Sequence, residues 1–412
     1  MEIIDKKLVK KIYDKYIQDD VPCYVYNFDQ IKKNISNIVN YMPSNFFLYY
    51  AIKANPNTDV LKYIKSFKEV SGFEIASIGE LETSLKYCNN KEIIFTGPAK
   101  TPKELKEAIK HNINLINVES IVETIRINKI AEDENIDNVD ILLRINMDYK
   151  IEDAAENMGG LSTKMGIDEC QLLDSLSIIK NLKHLNIKGI HVFSASGILH
   201  YEAAIDYAKY VFKIVDKLEK YGQKIEIIDL GGGFGVDYSG KEEIFDTKKY
   251  FYELKKLIDK ANYGKKKFIL ELGCYLVANS GYYLSKIVDI KSSKGYKHIV
   301  LAGGLNHIPT FTLNGKHPFY ILQMNEKKLY DRQIDVNSEV VDIDGPLCTA
   351  EDKVLWDVFV EKASIGDVVV IRQAGAYCYC AAWLEFLSHE KPYEIIYNNN
   401  KIFISGDEYE VK

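Results

Sequence analysis

The sequence predicts an α/β fold: a TIM-like (β/α)8 barrel followed by a C-terminal all-β domain. Three observations carry that prediction. Eight short apolar runs fall between residues 46 and 273, separated by stretches of helical periodicity. Strands that alternate with helices pair in parallel through right-handed crossovers, and eight such units suffice to close a barrel. After residue 280 the helical periodicity fades, and strand-like runs joined by turn residues replace it. A doubly wound open sheet is compatible with the same alternation and stays open as an alternative.

Taken in order, the first element is MEIIDKKLVKKIYDKYI, where Ile4, Leu8, Ile12 and Ile17 suit an amphipathic helix. CYVYN (23–27) is strand-like and stands ahead of the first barrel strand, so it is expected to join the β domain. The expected division is residues 1–27 as an N-terminal helix and strand, 28–279 as the barrel and 280–412 as the β domain. The barrel runs are FFLYYAIKA (46–54), EVSGFEIA (69–76), EIIFTG (92–97), LINVES (115–120), VDILLRIN (139–146), IKGIHVFS (187–194), KIEIIDLGGG (224–233) and KFILELG (267–273). After the third run, Thr101, Pro102 and Glu104 supply an N-cap, a first-turn proline and a capping-box acid. The β domain is read from YYLSKIVDIK, HIVLAGG, SEVVDIDGPL, DVVVIRQAGAY, YEIIYN and KIFISG. The 29 tyrosines suit its half-buried strand surfaces.

Composition removes several function classes. The 412 residues carry 53 basic and 59 acidic side chains, a formal net charge of -6. No basic surplus exists to neutralise phosphates, so nucleic acid is not an expected partner. Seven cysteines are irregularly spaced with no CxxC pair, which points away from a metal site and toward reduced thiols in a cytoplasm. The N-terminus lacks the apolar core of a signal peptide, and no uncharged apolar run reaches about 18 residues, so no membrane span is expected.

A barrel gathers its reactive groups at the C-terminal ends of its strands. Lys53, Glu74, His191, Ser194, the glycines 231–233 and Glu271 all fall there. Consecutive glycines let backbone N–H groups converge on a phosphate, and the loop after the seventh strand is a usual place for one. Gly231-Gly232-Gly233-Phe234-Gly235 is neither a Walker loop nor a dinucleotide fingerprint, and a tight turn is its plainer reading. Lys53 stands among apolar neighbours, and a rim position is as plausible as an exposed strand face; at the rim, low dielectric would depress its pKa and free the amine for Schiff-base chemistry. A rim lysine together with a phosphate cradle points to pyridoxal phosphate.

These residues lie in an ordered set: YYAIKAN, GFEIASIGEL, IFTGPAKT, KMGID, GIHVFSASG, DLGGGFGVDY, ELGCYLVA, GPLCTAED and GAY. Over about residues 20–395 the chain resembles the fold-type III pyridoxal-phosphate-dependent decarboxylases of ornithine, arginine and diaminopimelate. GGGFGVDY, GPLCTAED and the FLSH string near the C-terminus are most similar to members of secondary metabolism that act on carrier-bound or conjugated amino acids. The resemblance implies that Lys53 holds the cofactor as a Schiff base and that Glu74 lies beside it. It implies that Glu271 keeps the pyridine nitrogen protonated and that His191 stacks on the ring. Ser194, Gly232, Gly233 and Tyr377 would bind the phosphate. Arg144 would line the site or form an ordinary barrel ion pair. Cys348 would enter from the neighbouring subunit of a head-to-tail homodimer and protonate the substrate carbon. Asp352 would contact the substrate, or be a plain exposed loop acid.

The chain departs from that family's pattern at informative positions. Glu271-Leu272-Gly273-Cys274 has a cysteine where the family has an arginine, which removes a fixed charge and a bidentate donor. Ala302 stands where an aspartate often meets the distal amine of basic substrates, and Thr349 where diaminopimelate decarboxylases carry a glutamate. The implied activity is decarboxylation of an amino acid or conjugate other than plain ornithine, lysine or diaminopimelate, with Cys274 facing the substrate. A catalytically altered cofactor-binding homologue and a racemase on the same barrel type are the competing readings.

Overall fold

In a computed structural model of the chain, residues 6–16, 20–152, 154–238, 241, 244–309, 317–324 and 333–406 are described. The chain divides into two compact units. One comprises Met1–Lys32, Asp237–Glu243 and Val277–Lys412; the other comprises Lys33–Val236 and Ile244–Leu276.

The second of these is a closed parallel barrel. Its strands are β2 (Phe46–Ala51), β3 (Val70–Ile75), β4 (Ile93–Phe95), β5 (Leu115–Val118), β6 (Val139–Asn146), β7 (Leu185–His191), β8 (Ile227–Asp229) and β9 (Lys267–Leu272). Each pairs in parallel with its successor, β5 pairs with β6, and β9 returns to β2. That closure excludes the open sheet. The crossover helices begin where the sequence supplies caps. Thr101 Oγ1 accepts the Glu104 amide while Glu104 accepts the Thr101 amide, ahead of helix Pro102–Lys110. Ser77 and Ser120 cap the two helices on either side of it, each hydroxyl accepting the amide three residues on. Inside the barrel Tyr49, Ile94, Leu115, Leu142 and Ile269 form one buried cluster, so the interior is packed and chemistry is left to the rim.

The other unit is built on β1 (Cys23–Asn27), which pairs antiparallel with β10 (Gly281–Ser293) and parallel with a late strand, Tyr393–Asn398. The remaining strands of its sheet are Tyr296–Leu301, Phe319–Leu322, Val336–Asp344, Lys353–Ala363, Val368–Arg372 and Lys401–Ile404. Pairing is antiparallel except between β1 and Tyr393–Asn398 and between Tyr296–Leu301 and Val336–Asp344. Helix α1 (Lys6–Tyr16) buries Val9, Ile12 and Tyr13 against Cys23, Val25, Leu284 and Val370. Of the four residues read as its apolar face, Ile4 and Ile17 lie outside the described residues. Among the described residues no helix is long and apolar enough to cross a membrane.

Close strand approach in the barrel depends on a missing side chain at Gly189, where a Cβ would fall inside the Ile227 carbonyl of β8. Gly264 has open space around it. Gly189→Ala is therefore expected to cost about 3 kcal/mol or more, from overpacking against backbone. Gly264→Ala should stay within about 0.5 kcal/mol of the parent. Urea unfolding midpoints of the two variants decide this.

Candidate active site

Strand β2 ends at Ala51 and tightens into a single 3-10 turn, Ile52–Ala54, which carries Lys53 at the rim. Register places Ala51 opposite Glu74, the penultimate residue of β3. Lys53 Nζ accordingly donates to both Glu74 oxygens, at 2.9 and 3.1 Å. The surroundings differ from the apolar pocket expected of Lys53. Its side chain is 42% exposed, while that of Glu74 is 1% exposed. The flanking Ile52 and Ala54 are buried, but a 3-10 turn sends the middle side chain the other way. Burial raises the Glu74 pKa, and the Lys53 charge opposes that rise.

Three strands supply a buried polar cluster below this pair. His191 closes β7 and is fully buried; its Nε2 lies 3.2 Å from Glu271 Oε2 on β9, off the line of a good hydrogen bond. Glu271 Oε1 accepts from Asn117 Nδ2 on β5 at 3.2 Å, and the same amide donates to Thr96 Oγ1 at 2.9 Å. Burial alone would raise the Glu271 pKa. His191 and Lys53 outweigh it and hold the group below the usual carboxylate range, so Glu271 is an anion at neutral pH. Burial pushes the His191 pKa down, and Glu271 only partly offsets that.

The glycine turn and the Ser194 loop are packed on one another. Gly231 and Gly233 have φ of +62° and +87°, a region closed to most side chains, and a Cβ on Gly232 would collide with the Glu271 carbonyl. Gly233 O accepts the Ile198 amide at 2.9 Å. Across the loop, Met158 and Gly159 donate backbone N–H groups to Ser194 O at 2.7 and 2.9 Å. That fixes the serine backbone while Ser194 Oγ, buried beside the equally buried Tyr207 hydroxyl, has no well-formed hydrogen bond.

Other predicted residues stand differently. Arg144 is buried in an ion pair, its Nη1 2.6 Å from Glu119 Oε1. Glu119 Oε2 takes the Gly166 amide at 2.7 Å, so the guanidinium is engaged within the barrel wall. Cys274 is half-buried and opens the helical turn Cys274–Val277. In the β-sheet unit, Cys348 is exposed on the loop between Val336–Asp344 and Lys353–Ala363. Of the two readings of Asp352, substrate contact and a plain exposed loop acid, the structure excludes the second. It is buried, and its oxygens accept the Leu305 and Leu347 amides at 2.6 and 2.7 Å, which holds the Cys348 loop in shape. Tyr377 sits at φ +56°, a strained value for an aromatic residue.

A closed (β/α)8 barrel whose rim joins a lysine–carboxylate pair, a buried histidine–glutamate pair and a glycine turn defines a cofactor enzyme working at a strand-end site. Residues 28–278 match the family "Pyridoxal-dependent decarboxylase, pyridoxal binding domain", and the chain belongs to it. It is 32% identical over 377 residues to the 2-[(L-alanin-3-ylcarbamoyl)methyl]-2-hydroxybutanedioate decarboxylase of Staphylococcus aureus, covering 91% of this chain and 93% of that one. It is 31% identical over 385 residues to the L-glutamyl-[BtrI acyl-carrier protein] decarboxylase of Niallia circulans, covering 92% and 89%. Among solved structures, the diaminopimelate decarboxylase of Methanocaldococcus jannaschii with L-lysine superposes with a TM-score of 0.85, at 26% identity over 96% of this chain and 91% of that one.

The chain is a pyridoxal-phosphate-dependent amino-acid decarboxylase, and its residues fit that cofactor. Buried polar atoms without well-formed hydrogen bonds cluster at one rim: both His191 ring nitrogens, Ser194 Oγ and the Tyr207 hydroxyl. A native interior leaves such atoms only where a ligand or water completes them. The glycine turn, with no room for a Cβ, adds a cradle of backbone N–H groups.

Sequence reasoning missed Asn117, Glu119 and Asp229. Each is a polar residue in or beside an otherwise apolar run, LINVES or KIEIIDL, and that interruption was the available signal. The Glu119–Arg144 pair yields a stability test. Removing one partner of a buried pair leaves an uncompensated charge, so Glu119→Ala should destabilise the chain by about 3 kcal/mol. Denaturant unfolding at neutral pH measures it.

Proposed function

We propose that this enzyme decarboxylates an amino-acid conjugate or a carrier-protein-bound amino acid in a biosynthetic pathway, rather than free ornithine, lysine or diaminopimelate. The observation that carries this reading is the pair of positions with no fixed charge, Cys274 and Ala302, in a chain that keeps Lys53, His191, Glu271, Cys348 and Tyr377. The two relatives named above act on a conjugate and on a carrier-bound glutamyl group, which supports it.

Pyridoxal phosphate, when bound, supplies an electron sink for the bond between Cα and the departing carboxylate. Lys53 holds the cofactor, with Glu74 orienting its amine. Glu271, as an anion, would partner the pyridine nitrogen and favour the protonated ring, because an adjacent negative charge stabilises a pyridinium. His191 would pack against the ring. Ser194, Gly232, Gly233 and Tyr377 bind the phosphate through neutral donors. Cys348 of the partner subunit returns a proton to Cα in a head-to-tail homodimer, and its exposure on a loop held by Asp352 supports that role. Cys274 lines the substrate end. The seven cysteines stand as thiols outside any disulfide, which supports a cytoplasmic location.

A CO2-release screen over free basic amino acids, their conjugates and carrier-loaded forms tests the substrate. Release fastest from free ornithine, lysine or diaminopimelate overturns the reading. Lys53→Ala should lose the visible absorbance of the bound cofactor. Cys348→Ala should keep it yet turn over about 10²-fold more slowly, the usual worth of a positioned proton donor. Mixing those two inactive variants should restore roughly a quarter of wild-type activity, because half the dimers then carry one intact shared site. No recovery on mixing would remove the partner-supplied cysteine.

A further inference from the structure

Among the described residues, Asp229 is a fully buried acid at the rim to which the proposed chemistry gives no task. It closes β8, opposite His191 in register on β7 and beside β9. Its Oδ1 accepts the Gly231 amide at 2.8 Å, across the first turn of the glycine loop. Its Oδ2 is buried without a well-formed hydrogen bond. His191, Asp229 and Glu271 each bring a ligand-type atom within 4.8 Å of the others.

Two carboxylates this close in a buried interior cannot both stay charged unless cations compensate them. The titratable groups around Asp229 are His191 on β7, Glu271 on β9, Glu74 on β3, Tyr49 on β2 and Tyr207 on the helix Tyr201–Lys220. The one among them that can become a cation, His191, lies 3.2 Å from Glu271 Oε2 but is pushed toward its neutral form by burial, so it leaves the two carboxylates uncompensated. Glu271 has two side-chain partners, His191 and Asn117, whereas Asp229 has a single backbone donor. The proton therefore belongs on Asp229.

We infer that Asp229 is a neutral carboxylic acid at physiological pH, a positioning residue that donates its proton toward Glu271 and ties that carboxylate to the glycine turn. This rests on the cofactor reading only for its consequence: Glu271 stays ionised and oriented at the ring nitrogen, and the phosphate cradle moves with it. Burial and the Glu271 charge both raise the Asp229 pKa, in the same direction as the geometry.

Infrared difference spectroscopy on the full-length chain tests the protonation itself. The wild type should show the carbonyl stretch of a neutral carboxylic acid at pH 7 to 8, a window in which ordinary carboxyls are fully ionised. Asp229→Asn should lack that band. Because its amide still donates, Asp229→Asn should bind cofactor within about threefold of wild type, while Asp229→Leu, which donates nothing, should bind it at least about tenfold more weakly. The sign of the pH dependence follows from a raised folded-state pKa. Wild type should lose stability relative to Asp229→Asn as pH rises from about 4, where the unfolded aspartate ionises. No acid band at neutral pH, or a band that survives in Asp229→Asn, overturns the inference. The infrared and stability readouts stand even if the chain binds no pyridoxal phosphate, so failure of the cofactor reading is seen separately as absent visible colour.

Discussion

A charged carboxylate held inside a barrel is the constraint on which the rim is built. Placing a lone carboxylate there would cost several kcal/mol after relaxation. Glu271 is tolerated because His191, Asn117 and the nearby Lys53 amine converge on it from β7, β5 and the turn after β2. Their convergence is a property of parallel closure. All eight strands end at the same rim, so groups distant in sequence arrive at one height around one axis. The same closure fixes the glycine requirement, since Gly232 must pass the Glu271 carbonyl with no room for a Cβ.

Two charges that the rim and wall of this unit carry are matched by a partner. Lys53 meets Glu74 and Arg144 meets Glu119. In each pair at least one member is nearly fully buried, so the geometry is fixed by packing and not by surface attraction, which is weak. Arg144 and Glu119 also hold the loop that follows β6, through the Gly166 amide. That loop in turn supplies the two backbone donors on Ser194. A wall ion pair is thus linked to Ser194, which packs beside the glycine turn.

The β-sheet unit shows the same economy in a loop. Asp352 accepts two backbone amides, one from its own loop and one from Leu305. A Cβ on either Gly304 or Gly345 would collide with its carboxyl group. The segment that carries Cys348 is therefore shaped by a buried acid and two glycines. The thiol itself stays exposed.

Local chemistry was legible in the sequence wherever one segment suffices to specify it. Strand–helix alternation, the Thr101 capping box and the glycine turn depend on neighbours within a few residues. The ordered motifs added the cofactor and the reaction class. What the tertiary structure alone decided concerns pairs brought together across strands. Asn117 and Asp229 looked like stray polar residues until closure placed them beside Glu271. Arg144 was undecided between site and wall until Glu119, 25 positions away, proved to hold it. Asp352 was open between substrate contact and an exposed loop acid until two backbone amides proved to make its burial tolerable. The reason is physical: a single chain segment states its own propensities, but the charge state and exposure of a buried group are set by what other segments bring within a few ångströms.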